Sequence, residues 1–314
     1  MADLIEITRS FNAMNTGVEA IVCVPGSKRT EGEKALVRVQ QIFNEVETAL
    51  SRFSPDSELS GLNRAAGVPF KASQLLFTVV TSAKEAAYFS GGIYDPTILP
   101  YLLAAGYDRS FEKLSDAPDG PVYQLNSRFT WRDIVLDAEK STITLPPGAG
   151  LDLGGIAKGW TVDRVSEGLK QLSGFAVNAG GDIFAGGKRA DGSLWSVGVV
   201  DPIHPESNLT VLELTNRAVC TSSTTKHNWR HNGIYGHHLI DPRSGKPSVS
   251  SIISATVIAE SAVTAEIIAK TALIIGPGAG MEFIQNQSGI DGILVLNDGR
   301  LLISSNSREV TNVH

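Results

Sequence analysis

Cysteine is scarce in this chain of 314 residues, with two copies at positions 23 and 220. Each sits in an apolar, strand-like run, Ala-Ile-Val-Cys-Val and Ala-Val-Cys-Thr, which favours two buried free thiols over a disulfide. Long apolar runs are missing too. No stretch approaches the roughly eighteen residues of a membrane-spanning helix, and the N-terminus, with Asp3 and Glu6, has no apolar core of a secretory signal or lipoprotein leader. Taken as a full-length chain, it is expected in the cytoplasm, with no membrane segment. Positive charge is in deficit, since 27 Lys and Arg against 33 Asp and Glu leave a net charge of -6. With no run of five basic residues either, nucleic acid is not an expected partner. There is no repeat of fixed period and no low-complexity linker. What remains, with 42% apolar and 19% charged residues, is a globular chain long enough to bury a sizeable core.

Leu36, Val39, Phe43, Val46 and Leu50 recur at spacings of 3, 4, 3 and 4, which predicts a helix with one buried stripe from about Gly32 to Phe53. A second helix is expected over 73–90, with Leu76, Val80, Ala83 and Ala87 on one face and a glycine cap at Gly91-Gly92. A third runs from about Lys158 to Leu172 on Val162, Val165, Leu169 and Leu172, and a fourth from Val263 to Ile275, closed by Gly276-Pro277. Runs rich in Val, Ile and Thr predict strands at Gly17–Val24, Ser141–Leu145, Phe175–Asn178, Leu194–Val200, Val211–Leu214, Ile252–Ala259 and Gly292–Leu296. Leu151–Leu153 is expected as a further short strand. Helices and strands alternate without a strict βαβ rhythm, so the fold class is α/β with a mixed, antiparallel sheet (α+β), built as a single folded unit or as two lobes with a cleft.

Four segments are too polar and too rich in glycine for core, and each ends an expected element. The first, Arg52 to Asn63, follows the first helix; by itself it also fits a turn into a short helix capped by Ser57, with Ser60 or Asn63 completing the hydrogen bonds. The second, Gly92-Ile93-Tyr94-Asp95-Pro96-Thr97, fits an Asx turn before proline. The third is Leu151-Asp152-Leu153-Gly154-Gly155-Ile156-Ala157-Lys158-Gly159 with its companion Asn178-Ala179-Gly180-Gly181-Asp182. It brings a carboxylate, open backbone and a cation to one helix N-terminus, where a phosphate is readily held. The fourth is His237-His238-Leu239-Ile240-Asp241-Pro242-Arg243-Ser244-Gly245. Adjacent histidines on a strand point to opposite faces and do not share one metal ion.

Together with Ala13-Met14-Asn15-Thr16 and Thr221-Ser222, and taken in this order along most of the chain, these segments resemble the ApbE family of FAD:protein FMN transferases. The resemblance implies a two-lobed fold with a cleft for FAD, formed by the whole chain as one flavin transferase domain. It implies an enzyme that splits the pyrophosphate of FAD and attaches FMN through a phosphoester to a Thr or Ser of an acceptor flavoprotein, releasing AMP with the help of magnesium. Carried over by position, Met14, Phe53, Ile93, Tyr94, Asp95, Asp152, Lys158 and Ile240 are the expected FAD contacts. Phe53 suits a flat flavin or adenine face, and Lys158 a phosphate oxygen. His238 is a candidate for proton transfer, or else holds its turn through Asp241.

The resemblance also implies a metal site made of a backbone carbonyl, here Gly155, and an aspartate and a threonine four residues apart on a late helix. Here those two positions are Glu266 and Lys270. A glutamate can bind magnesium, whereas an ammonium has three donors and no lone pair. Two readings follow. The pair is a helical i,i+4 ion pair worth about 0.3 kcal/mol, or, among Ile267, Ile268, Leu273 and Ile274, Lys270 is buried, paired to Glu266 and aimed at the pyrophosphate as a fixed charge in place of the ion. On the second reading Lys158 and Lys270 join His238 as candidate catalytic groups. The alternative function is an FAD-binding homologue, a carrier or redox module, that has lost metal-dependent transfer because Lys270 replaces a ligand.

Overall fold

The computed structural model describes residues 3–110, 129–225, 228–231 and 234–304. Its α-helices are α1 (Arg29–Leu50), α2 (Glu58–Arg64), α3 (Gln74–Phe89), α4 (Leu99–Ala104), α5 (Ala157–Leu169), α6 (Ala262–Ile275) and α7 (Pro277–Gln285). The expected stripe of α1 is buried at every position, from Leu36 at 2% exposure to Leu50 at 6%. Helix α3 starts where Ser73 accepts the N–H of Leu76 and ends before Gly91 and Gly92, both at positive φ. Helix α5 stops three residues earlier than its apolar pattern suggests.

Internal contacts divide the chain into two compact units. The first comprises the chain up to Glu45, Lys158–Ser223 and the chain from Ser251 onward. Among the described residues it holds an eight-stranded sheet whose neighbours follow chain order: Leu4–Ala13, Thr16–Pro25, Gly174–Ala179, Asp182–Gly187, Arg217–Ser223, Ile252–Ala259, Asp291–Leu296 and Leu301–Ile303. Every neighbouring pair is antiparallel, as the sequence leads one to expect of a mixed fold. Val18, Ala20, Val22 and Val24 are buried at alternate positions while Glu19 is exposed, the period-two pattern of a strand; on its other face Cys23 is buried too, with Ile21 packed against the same cluster. The first hairpin turns on Met14 and Asn15, at φ 52° and 61°, between the paired residues Ala13 and Thr16. Two consecutive positive φ angles make this a type I′ turn, whose twist matches that of its strands. Helix α6 packs on the strands Arg217–Ser223 and Ile252–Ala259 and is apolar almost all round, as a helix enclosed by core must be. Cys23 and Cys220 are both buried and free.

The second unit is Val46–Ala157 with Thr224–Ser250. It contains α2, α3, α4, a small sheet in the order Phe70–Lys71, Thr142–Thr144, Val135–Asp137, and the hairpin of Asn228–His231 with Ile234–His237. Leu151–Leu153 is not a strand. Both backbone groups of Leu151 are taken by one side chain instead, since Asn63 accepts its N–H at 2.8 Å and donates to its carbonyl at 3.0 Å, while the Asp152 N–H goes to the Pro96 carbonyl. An apolar run satisfied by a side-chain amide needs no ladder partner.

Candidate functional site

In the first unit the site is built where α5 meets α6. Lys158 lies in the first turn of α5 and its ammonium donates to the Asp182 carboxylate. Asp182 is 2% exposed and opens its strand directly after Gly180 and Gly181, at φ 65° and 99°. A Cβ on Gly180 would fall 2.2 Å from the Thr16 hydroxyl, so this turn requires glycine on both steric and conformational grounds. One residue past Lys158, the Gly159 N–H donates to Glu266 Oε2 at 3.2 Å. The close approach again depends on glycine, because a Cβ there would stand 2.7 Å from that same oxygen and 3.0 Å from the backbone of Ala262. Glu266 Oε1 meets the Lys270 ammonium at 3.4 Å. Asp163, further along α5, accepts the N–H groups of Ala262 and Val263 at 2.7 and 2.9 Å and so caps the start of α6. The Cys220 thiol donates to the Ala262 carbonyl at the same place.

Burial raises the Glu266 carboxyl above its usual range; Lys270 and Lys158 pull it down and Asp182 pushes it further up. For Lys158 desolvation opposes the charge, yet Asp182 and then Glu266 outweigh it and hold the ammonium protonated above its ordinary value. Desolvation likewise lifts the Cys220 thiol well above the usual thiol range. Glu266 and Lys270 do not fit a divalent cation as they stand. Both carboxylate oxygens already face donors, one of the two candidate ligands is itself a cation, and among the described residues no group of three acidic, histidine or cysteine side chains converges on a point.

In the second unit the loop after α1 and the loop before α5 are joined by Arg52. Its Nε donates to Asp152 Oδ2 at 2.5 Å and its Nη2 to the Tyr107 carbonyl at 2.9 Å. The guanidinium carbon lies 4.1 Å from the Phe53 ring centroid and 4.6 Å from that of Tyr107, within cation–π range of both. Tyr107 in turn stacks on Trp229, whose indole N–H donates to the Ala105 carbonyl. Phe53 keeps 40% of its surface exposed. Nearby in sequence to α3, Asp95 is an Asx cap: Oδ1 accepts the N–H and hydroxyl of Thr97, and Oδ2 the N–H of Trp131. Burial raises its carboxyl, against the pull of those three donors.

A family model described as the ApbE family matches residues 14–294. The chain belongs to the ApbE family. Its relatives include a protein named FAD:protein FMN transferase from Haemophilus influenzae, 28% identical over 313 residues that cover 96% of this chain and 90% of the relative. Another of that name, from Vibrio cholerae, is 29% identical over 83% of this chain and 79% of its own. Among solved structures, a flavin transferase ApbE from Vibrio cholerae matches with a TM-score of 0.81 at 25% identity, covering 96% and 98% of the two chains. The ApbE protein of Thermotoga maritima shares the fold with a TM-score of 0.82 at 22% identity.

Some of the residues expected at the site of this ApbE chain come together and others stand apart. Lys158, Glu266 and Lys270 come together in the first unit, where Met14 forms the hairpin turn. Phe53 and Asp152 come together in the second, through Arg52. Ile93, Tyr94 and Asp95 stay on one turn, while Ile240 is buried with Tyr101 and Leu102, and Gly155 lies in the turn that leads into α5. His238 follows the strand Ile234–His237 instead of lying in it, and His237 bonds the Ser248 carbonyl. The Asp241 carboxylate is held by Arg243 at 2.8 and 2.9 Å. Sequence reasoning gave no role to Asp163, Asp182, Cys220 or Arg52. Asp182 was visible as the end of a glycine motif; Asp163 meets a partner ninety-nine residues away and left no local signal.

Proposed function

We propose that this ApbE-family chain, acting over its whole length as one flavin transferase domain, is an FAD:protein FMN transferase. A Thr or Ser hydroxyl of an acceptor flavoprotein attacks the FMN phosphorus of FAD. The new phosphoester bond forms as the bond to the AMP oxygen breaks, the hydroxyl proton is given up, and AMP leaves. The shared name of relatives aligned over most of the chain supports transfer over a mere carrier role. The observation that carries the reading is Lys158, a cation held charged by Asp182 in the first turn of a helix behind a glycine pair, which is the chemistry a pyrophosphate requires.

In this reading FAD meets Met14, Phe53, Ile93, Tyr94, Asp152, Lys158 and Ile240. Asp95 contributes by fixing the turn that presents Ile93 and Tyr94, since its carboxylate is spent on Thr97 and Trp131. His238 takes the acceptor proton or gives one to the leaving group. Magnesium, with Gly155 and Glu266 as its ligands, is the ion the family resemblance implies, but Glu266 as held by Gly159 and Lys270 does not fit that role. We assign the neutralising charge to the ammonium groups of Lys158 and Lys270, which fits a reaction that asks mainly for positioning and for positive charge on the phosphate oxygens. The experiment is incubation of the purified chain with FAD, with and without magnesium, followed for AMP. Release of AMP that depends on an acceptor domain supports transfer; AMP formed equally well without one points to hydrolysis, and FAD that stays intact removes the proposal.

A further inference from the structure

Phe53 and Asp152 are ninety-nine residues apart in sequence and have one neighbour in common. Arg52 is 6% exposed in its side chain, and Asp152 is 12% exposed. The guanidinium donates two hydrogen bonds, to the Asp152 carboxylate and the Tyr107 carbonyl, and its carbon lies over the rings of both Phe53 and Tyr107, which meet edge to face. Asp152 is fixed from the other side by the Gly154 N–H, which donates to Oδ1 at 2.8 Å. That leaves the carboxylate with lone pairs to spare and the Phe53 ring 40% exposed beside the same cation. A lysine in this place matches the charge and not the shape: it pairs with Asp152 but offers no fork of donors that reaches the Asp152 carboxylate and the Tyr107 carbonyl at once.

We infer that Arg52 is a positioning residue for flavin binding, which fixes the Phe53 ring and the Asp152 carboxylate as a single recognition unit for the flat ring system of the nucleotide. The inference rests on the FAD reading of the site. Neither side chain is set independently. Phe53 is half-exposed on a loop, and among the described residues its aromatic partner besides Arg52 is Tyr107, edge to face at 5.7 Å between centroids. Asp152 without Arg52 is a nearly buried carboxylate whose remaining side-chain partner among the described residues is one backbone N–H.

The test compares FAD binding by the unmodified chain, R52K, D152N and R52K/D152N, read by flavin fluorescence and by the flavin absorption difference spectrum, with a melting temperature for each. R52K retains a charge opposite Asp152, so it is expected to fold with a melting temperature close to that of the unmodified chain. Its FAD affinity is expected to fall about tenfold, because the Phe53 ring and the Asp152 carboxylate are no longer held in the binding geometry, and the spectral shift of the bound flavin to shrink towards that of free FAD. Because the two side chains act as a unit, the double variant is expected to bind FAD no worse than the weaker single one. Tight binding that R52K leaves unchanged, or losses that add in the double variant, overturns the inference while leaving the FAD reading in place. A melting temperature that collapses in R52K together with binding overturns it in favour of a purely structural role. An unmodified chain that binds no FAD overturns the FAD reading, and this inference with it.

Discussion

The ammonium of Lys270 lies 3.4 Å from the Glu266 carboxylate, one turn away on α6, and the two side chains are 13% and 6% exposed. At this depth the pair is no ordinary surface i,i+4 contact, and it places a fixed positive charge where a divalent ion would need Glu266. The first prediction follows from it. EDTA is expected to leave FAD binding by the unmodified chain unchanged, as measured by flavin fluorescence. K270T removes the competing ammonium and supplies a hydroxyl oxygen, so this variant is expected to gain a Mn²⁺ signal in electron paramagnetic resonance that the unmodified chain is expected not to give. Loss of FAD binding on chelation would contradict this account of Lys270.

Lys158 and Asp182 separate ligand binding from folding. K158Q leaves Asp182 buried without its cation, which costs about 3 kcal/mol of stability, and it removes the proposed phosphate partner. K158Q/D182N is expected to regain most of the lost melting temperature and none of the lost FAD affinity. A double variant that recovers both would mean that Lys158 serves the fold alone.

The cap on α6 titrates near neutrality. Desolvation raises the Asp163 carboxyl from 3.8 to about 6, with the N–H groups of Val263 and Ala262 pulling down, Glu266 pushing up and Lys170 pulling down. A carboxyl whose pKa is higher in the folded state adds stability that is complete below 3.8 and is lost as the pH rises through about 6. The size is at most about 3 kcal/mol. D163N keeps an acceptor oxygen for one N–H and does not titrate. Melting curves of both proteins are therefore expected to show the advantage of the unmodified chain shrinking between about pH 4 and about pH 7; a gap that widens over that interval would refute the assignment.

The parts of the fold that were legible in the sequence are those whose partners are local or whose pattern is strong. The stripe of α1, the Ser73 and glycine ends of α3 and the two free cysteines belong to this class. So does Ser57, whose hydroxyl accepts the Ser60 N–H at the start of α2. The edge strand Leu4–Ala13 was missed because Glu6, Thr8, Arg9 and Ser10 interrupt its apolar residues, and Asp182–Gly187 because three of its first and last residues are aspartate and glycine. Leu151–Leu153 misled in the other direction, since nothing local marks Asn63 as the partner of Leu151. At the candidate site the glycine pairs, Lys158, Glu266 and Lys270 stood out. Arg52 and Asp163 did not, because arginine after a helix and aspartate within one are common, and what distinguishes these two is the distant backbone or carboxylate that each one meets.

Transfer of FMN from FAD to an acceptor protein is read from the intact mass of a candidate acceptor domain after incubation with this chain and FAD. The expected gain equals one FMN less water, located on a Thr or Ser, with one AMP released per acceptor modified. An acceptor of unchanged mass beside AMP and free FMN would contradict it and leave a hydrolase.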